Sequence, residues 1–236
     1  MRSLFLSLAA LTVAAGSALA QTPPAPAGAP AAKDEKSEKL NANPCRDEVA
    51  AALQKLRKTS WFRMDTAMIT ETGPTIMQVD YVLPDKMHQR VSSAAGSGPT
   101  EVVLIGDEAW GNEGKGWQAL STDLTQQLKA QMYENVVEQQ TEVGNYSCKG
   151  KTQFDGRDVL SYKLETEAVK DESKALNEAF RMFYVDATTG MPVSIALLAP
   201  GRETKPLFKT SYSYPLDIRI EAPKDVVKDG AAPAPK

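Results

Sequence analysis

The eight residues Ile76–Leu83 limit the folds open to this chain more than any other stretch. Met77, Val79, Tyr81 and Leu83 alternate with polar Gln78 and Asp80, the two-residue period of a strand with one dry and one wet face. Such a strand belongs to an antiparallel sheet covered on one side only. Leu83-Pro84-Asp85-Lys86 carries turn chemistry, with Pro84 suited to the second position of a type I turn. Lys86–Val91 resumes the pattern and places Met87, Gln89 and Val91 together. After a flexible loop at Ser92–Pro99, Glu101–Ile105 is a third strand, and Gly106-Asp107 turns it into Ala109-Trp110. Gly111–Gly116 is a glycine-rich turn before Trp117. Gln78 and Asp80 are therefore expected in solvent, with Met77, Val79, Tyr81 and Met87 facing whatever covers the sheet.

The rest of the chain supplies the cover and more strands. Asn43-Pro44-Cys45-Arg46-Asp47-Glu48 is a helix start, with a capping side chain, proline at the first position and acids at the positive end of the dipole. Val49, Ala52, Leu53 and Leu56 then form an apolar stripe, opposite Gln54, Arg57 and Lys58. A second helix is expected from Ser121-Thr122-Asp123 to about Gln140, with Leu124, Leu128, Met132 and Val136 recurring every fourth residue. Strands are expected at Ser60–Thr70, Tyr146–Phe154, Val159–Glu165, Arg181–Asp186, Met191–Leu198 and Phe208–Tyr214, with Ile218–Ile220 closing the sheet. Lys170–Ala179 is charged and reads as a short helix or exposed loop. These elements describe an α+β fold, a curved antiparallel sheet with helices on its concave side.

Met1–Ala20 has the layout of a secretory signal peptide: Arg2, an apolar run over Leu4–Ala15, and Ala18-Leu19-Ala20 before the expected cleavage. The run is shorter than the roughly 20 residues that a comfortable span needs, so no stable membrane span is expected once the signal is removed. No cysteine follows the expected cleavage, so a soluble, non-lipidated, periplasmic protein is expected. Gln21–Ala42, Pro/Ala-rich and then charged, reads as a disordered leader, and Lys224–Lys236 as a disordered tail. One domain is expected over Asn43–Pro223. In an exported chain Cys45 and Cys148 form a disulfide by default, two free thiols being the alternative.

The chemistry is mostly exclusion. The net charge is −3 with no basic stripe, which argues against nucleic acid. Two cysteines and one histidine are too few soft ligands for a metal site, and no residue pattern calls for a cofactor. His88, the single histidine, would have to serve any Ser-His-Asp or Cys-His device, yet no nucleophile setting accompanies it. GNEGKGW lacks the phosphate-loop pattern, and Asp107, Glu108 and Glu113 sit on turns in polar company. No catalytic residue is assigned. Methionines stand out on the expected strands and long helix: Met64, Met68, Met77, Met87, Met132, Met182 and Met191. Their side chains fill irregular cores and also line promiscuous apolar sites.

Taken with DYVLPDKMHQRV, EVVLIGDEAWGNEGKGW, the hairpin FYVDATTGMPVSI and the final IRIEAP, the chain resembles the LolA-like group of bacterial periplasmic proteins over about Trp61–Pro223. That group includes lipoprotein carriers and outer-membrane lipoprotein-sorting proteins. The resemblance implies an unclosed β-barrel with helices as a lid over a cavity for acyl chains or another apolar ligand. The expected cavity residues are Met64, Met77, Val79, Tyr81, Met87, Trp110, Trp117, Leu128 and Met132. The function expected is non-enzymatic binding or carriage of a lipid-like ligand or a lipoprotein. The alternative is an interaction or sensor module that binds an envelope protein.

Overall fold

The computed structural model describes residues 43–70, 73–94, 100–138, 143–165, 179–201 and 205–227. The signal-like segment, the leader, most of the charged stretch at 170–179 and the chain beyond Val227 lie outside the described residues. Helix α1 (Pro44–Arg57) starts where its cap predicts: the Asn43 side chain accepts from the Arg46 backbone N–H at 2.9 Å. Five strands follow as a meander, β1 (Trp61–Thr70), β2 (Gly73–Val82), β3 (Lys86–Ser93), β4 (Thr100–Ile105) and β5 (Glu108–Asn112). A short β6 (Trp117–Ala119) comes next, a strand that the glycines before Trp117 had disguised as a turn. The Asn112 side chain folds that turn by accepting from the backbone N–H groups of Gly114 and Gly116, both at positive φ where only glycine sits without strain.

Helix α2 (Thr122–Met132) is shorter than its periodicity predicts and passes into a π-helical turn, Tyr133–Val137. Met132 and Val136 are buried, whereas Leu124 is exposed, so the apolar stripe narrows toward the helix start. The second meander is β7 (Tyr146–Phe154), β8 (Arg157–Leu164), β9 (Phe180–Asp186), β10 (Pro192–Leu198) and β11 (Phe208–Ser213). Ile218–Ile220 is not a strand. Instead the chain continues to Val226, which makes a parallel bridge with Trp117.

All eleven strands form one antiparallel sheet in the order β6-β5-β4-β3-β2-β1-β11-β10-β9-β8-β7. The sheet is not closed: β6 and β7 are its two edges, although they are consecutive along the chain. The connection that contains α2 therefore has to cross the sheet from one edge to the other. That crossing, with α1, roofs one face of an open half-barrel. α1 lies on β7, β9 and β10 and is tied to β7 by the Cys45–Cys148 disulfide. Val49 and Ala52 bury against Tyr162, Phe183 and Val185. Leu56 joins Met132 and Val136 over Phe62, Val79, Tyr81, Met87, Leu104 and Tyr212. Among the described residues, no helix is long and apolar enough to cross a membrane.

Candidate functional site

The register of the first meander decides which side chains share the roofed face. Tyr81 stands opposite Phe62 on β1 and Met87 on β3, while Val79 stands opposite Met64 and Gln89. Met77 follows two residues along β2 on the same face. Leu128 and Met132 of α2 and Leu53 and Leu56 of α1 close over this floor. Between floor and roof are two hollows. One of about 300 Å³ is bounded by Leu53, Arg57, Phe62, Met64, Val136 and Tyr212. One of about 260 Å³ is bounded by Met77, Val79, Met87, Leu128 and Met132. Both are bordered by Tyr81 and Asn135, so they lie side by side as a two-part groove under the helices. Either alone sits at the lower limit of small-ligand pockets, about 300 Å³, and the two together fall within their range.

The groove is lined by neutral, polarisable groups. The Tyr81 ring stacks on Phe62 with centroids 4.9 Å apart. Burial pushes its phenol up to about 12, and burial likewise raises the Tyr212 phenol. Both hydroxyls are therefore uncharged donors at neutral pH. Arg57 is the exception. Its position one residue after Leu56 and four after Leu53 puts it at the edge of the apolar stripe, so it borders the groove and does not stand on the solvent side of α1. Its Nε is enclosed and has no hydrogen-bond partner, the one buried side-chain polar atom in that condition among the described residues. Burial lowers its proton affinity, partly offset by Tyr212.

Seven of the nine expected cavity residues meet along this groove: Met64, Met77, Val79, Tyr81, Met87, Leu128 and Met132. Trp110 and Trp117 do not. Trp110 pairs with Val103, which pairs with His88, which pairs with Asp80; all four share the outer face. Trp117 pairs with Asn112 in the neighbouring row of that face, and its ring meets His88 edge-on at 6.2 Å. Strand side chains alternate between faces, so correct placement of a tryptophan needs the register across four strands, and the sequence alone does not supply it. Arg57, Phe62, Asn135 and Tyr212 border the groove but were not among the expected residues.

The outer face is also not the wet surface that alternation predicts. Asp80 is only 5% exposed. Its carboxylate accepts from Arg63 Nε at 2.5 Å and the second Arg63 nitrogen at 3.0 Å, and from Arg90 at 3.2 Å. Burial alone would push this carboxyl up, but the bonds from Arg63 and Arg90 more than reverse that and hold it below its ordinary range. Gln78 bridges Arg90 and Asp65. Arg90 also lies 2.8 Å from His88 Nδ1. Arginine can only donate, so Nδ1 accepts and Nε2 carries the proton toward Glu101, 2.8 Å away. His88 is thus half-buried and held at both nitrogens, with no nucleophile beside it. No group of three or more His, Cys, Asp and Glu side chains among the described residues could hold a metal ion.

A larger cleft of about 530 Å³ opens at the sheet rim beside Trp61, Met191, Tyr214 and Leu216. Among its polar groups, Asp186 accepts from Thr188 and Thr189, the Tyr214 hydroxyl donates to the Pro192 carbonyl at 2.9 Å, and the Arg157 guanidinium lines the cleft with Asp186 nearby. Cleft and groove each combine apolar area with one arginine, and the groove differs in being roofed by the two helices.

No protein-family model matches the sequence, and no match to a curated protein was found. Solved structures do match. Lipoprotein LppX of Mycobacterium tuberculosis superposes with a TM-score of 0.51 at 10% identity, covering 76% of this chain and 100% of LppX. LprF from Mycobacterium bovis gives 0.46 at 10% identity, over 77% of this chain and 98% of that one. The MucA/MucB complex of Pseudomonas aeruginosa gives 0.41 at 15% identity, over 72% of this chain and 55% of the matched one. The overlap with LppX shows a shared fold, the LolA-like half-barrel that the sequence resembles.

Proposed function

We propose that this is a non-enzymatic periplasmic protein that binds or carries a lipid-like ligand, with an acyl chain lying in the groove between the sheet and its two helices. The observation that carries it is the groove itself: two adjoining hollows lined by Met64, Met77, Val79, Tyr81, Met87, Leu128 and Met132 beneath the helical roof. An apolar chain entering it replaces solvent contact with dispersion contact against methionine and tyrosine. The signal-like first twenty residues support export, and the absence of a cysteine after the expected cleavage supports a carrier without its own lipid anchor. Organic extraction of the purified protein followed by mass spectrometry should recover a co-purified lipid. Leu128→Trp, which fills the groove from the α2 side, should lower affinity for a fluorescent acyl probe by at least about tenfold while the fold is retained. A lipid-free protein whose fluorescence ignores acyl probes would count decisively against the carrier.

A second reading, an envelope interaction module, is favoured by the rim cleft, where Leu216 is 90% exposed beside Trp61. Leu216→Asp separates the two, because a carrier keeps its full probe affinity when that rim is made polar.

A further inference from the structure

We infer that the groove selects an anionic amphiphile, a single acyl chain whose carboxylate or phosphate headgroup is held by the Arg57 guanidinium. Arg57 is the last residue of α1 and borders only the first of the two hollows, so the groove has a charged end and an uncharged end. The uncharged end lies under α2 among Met77, Val79, Met87 and Met132, with Gln89 and Gln131 at its border. Three of the described arginines have acidic partners: Arg46 meets Asp47, Arg63 meets Asp80, and Arg90 meets Asp80 and Glu101. Arg57 has none among the described residues, and its Nε is enclosed away from water. An enclosed donor with no acceptor is costly to a fold, and few native groups are left in that state without a reason.

A planar guanidinium offers paired N–H groups that match a carboxylate or phosphate edge to edge, which a neutral ester or alcohol does not. The uncharged hydroxyl of Tyr212, on the same hollow, adds a donor and no competing negative charge. The small volumes of the two hollows, about 300 and 260 Å³, suit one acyl chain. The headgroup assignment rests on the groove being the acyl site.

The test uses the full exported chain, stripped of lipid, titrated with cis-parinaric acid and separately with its methyl ester. The wild type should bind the acid about tenfold more tightly than the ester, the size of one charge-assisted contact. Arg57→Leu and Arg57→Gln should bring the acid down to the ester and leave the ester within about twofold of wild type. Arg57→Lys, with the charge but without the fork, should retain part of the preference. Because the Arg57 side chain makes no hydrogen bond or ion pair among the described residues, the thermal midpoint of ligand-free Arg57→Leu should not fall; a marked drop assigns Arg57 to the fold and overturns the inference. Equal affinity for acid and ester in the wild type, or an acid preference that survives Arg57→Leu, overturns it as well and leaves the acyl groove standing. Failure to bind either probe overturns the groove and the headgroup together. Displacement of bound cis-parinaric acid by lysophosphatidic acid more readily than by palmitic acid identifies the headgroup as phosphate, and the reverse order identifies it as carboxylate.

Discussion

Two charges on opposite faces of the same sheet are treated in opposite ways. On the outer face, Asp80 is buried under two arginines and accepts from both. On the roofed face, Arg57 borders a hollow, and its enclosed Nε has no hydrogen-bond partner among the described residues. A buried charge with its partners built in belongs to the fold, since removing either side leaves the other uncompensated. A buried donor with no partner contributes nothing to the fold that holds it. The contrast separates the face that specifies the sheet from the face left free to bind.

Three changes break or sharpen that contrast, beginning with the largest. Replacing both Cys45 and Cys148 with serine opens a closure across a sequence separation of 103 residues. It should cost about 4 kcal/mol in denaturant unfolding. It should also weaken acyl binding, because α1 carries Arg57 and is tied to β7 by this bond; an unchanged unfolding midpoint would show that packing of Val49 and Ala52 suffices. Asp80→Asn leaves Arg63 and Arg90 facing each other and should cost about 3 kcal/mol, the low end for a broken buried pair because both arginines are partly exposed. Acyl affinity should be unaffected by it. The sign of the pH effect follows from the depressed carboxyl: its stabilisation is present above the ordinary value of 3.8 and is lost as pH falls through the lower folded value. The variant should therefore show a shallower loss of stability below about pH 4 than the wild type does.

The smallest effect belongs to Tyr81→Phe, within about 1 kcal/mol at neutral pH. The Tyr81 phenol is raised from 10.0 to about 12, so its contribution is complete below pH 10 and is lost as pH rises toward 12. An alkaline unfolding profile of the variant should be flatter across that window. If it is not, Tyr81 is wetter than its burial implies, and the groove is open to solvent at its middle.

Much of the framework was legible because it is local. The Asn43 cap and Pro44 start α1 where expected, and the alternation at Met77, Val79 and Tyr81 identifies a one-sided strand whose apolar side is the roofed one. The Pro84 turn lies in its expected place, with a cis Leu83–Pro84 peptide. The errors come from positions whose environment is set by distant strands. Asp80 alternates like a solvent residue, yet Arg63, seventeen residues earlier, covers it. Arg57 sits beside Lys58 like another surface cation, yet α1 turns its last residue toward Phe62 and Tyr212. The β8–β10 region is buried on its outer face too, where Phe154 stacks on Tyr184 at 4.2 Å beneath Lys209, and no alternation pattern announces such a cover.

By itself the sequence determined the kind of elements, their order, and the α+β sheet with one apolar face, because propensity, capping and period are properties of neighbouring residues. It also placed the two cysteines that the folded chain joins. The tertiary structure alone decided that β1 pairs with β11, that β6 and β7 end as opposite edges, and that the connection containing α2 links them. Those pairings set the register, and the register sends Trp110 and Trp117 to the outer face while bringing Arg57, Tyr81 and Tyr212 around one hollow. A side chain's face is fixed by its partner strand, and its partner strand is fixed only when the whole sheet has formed.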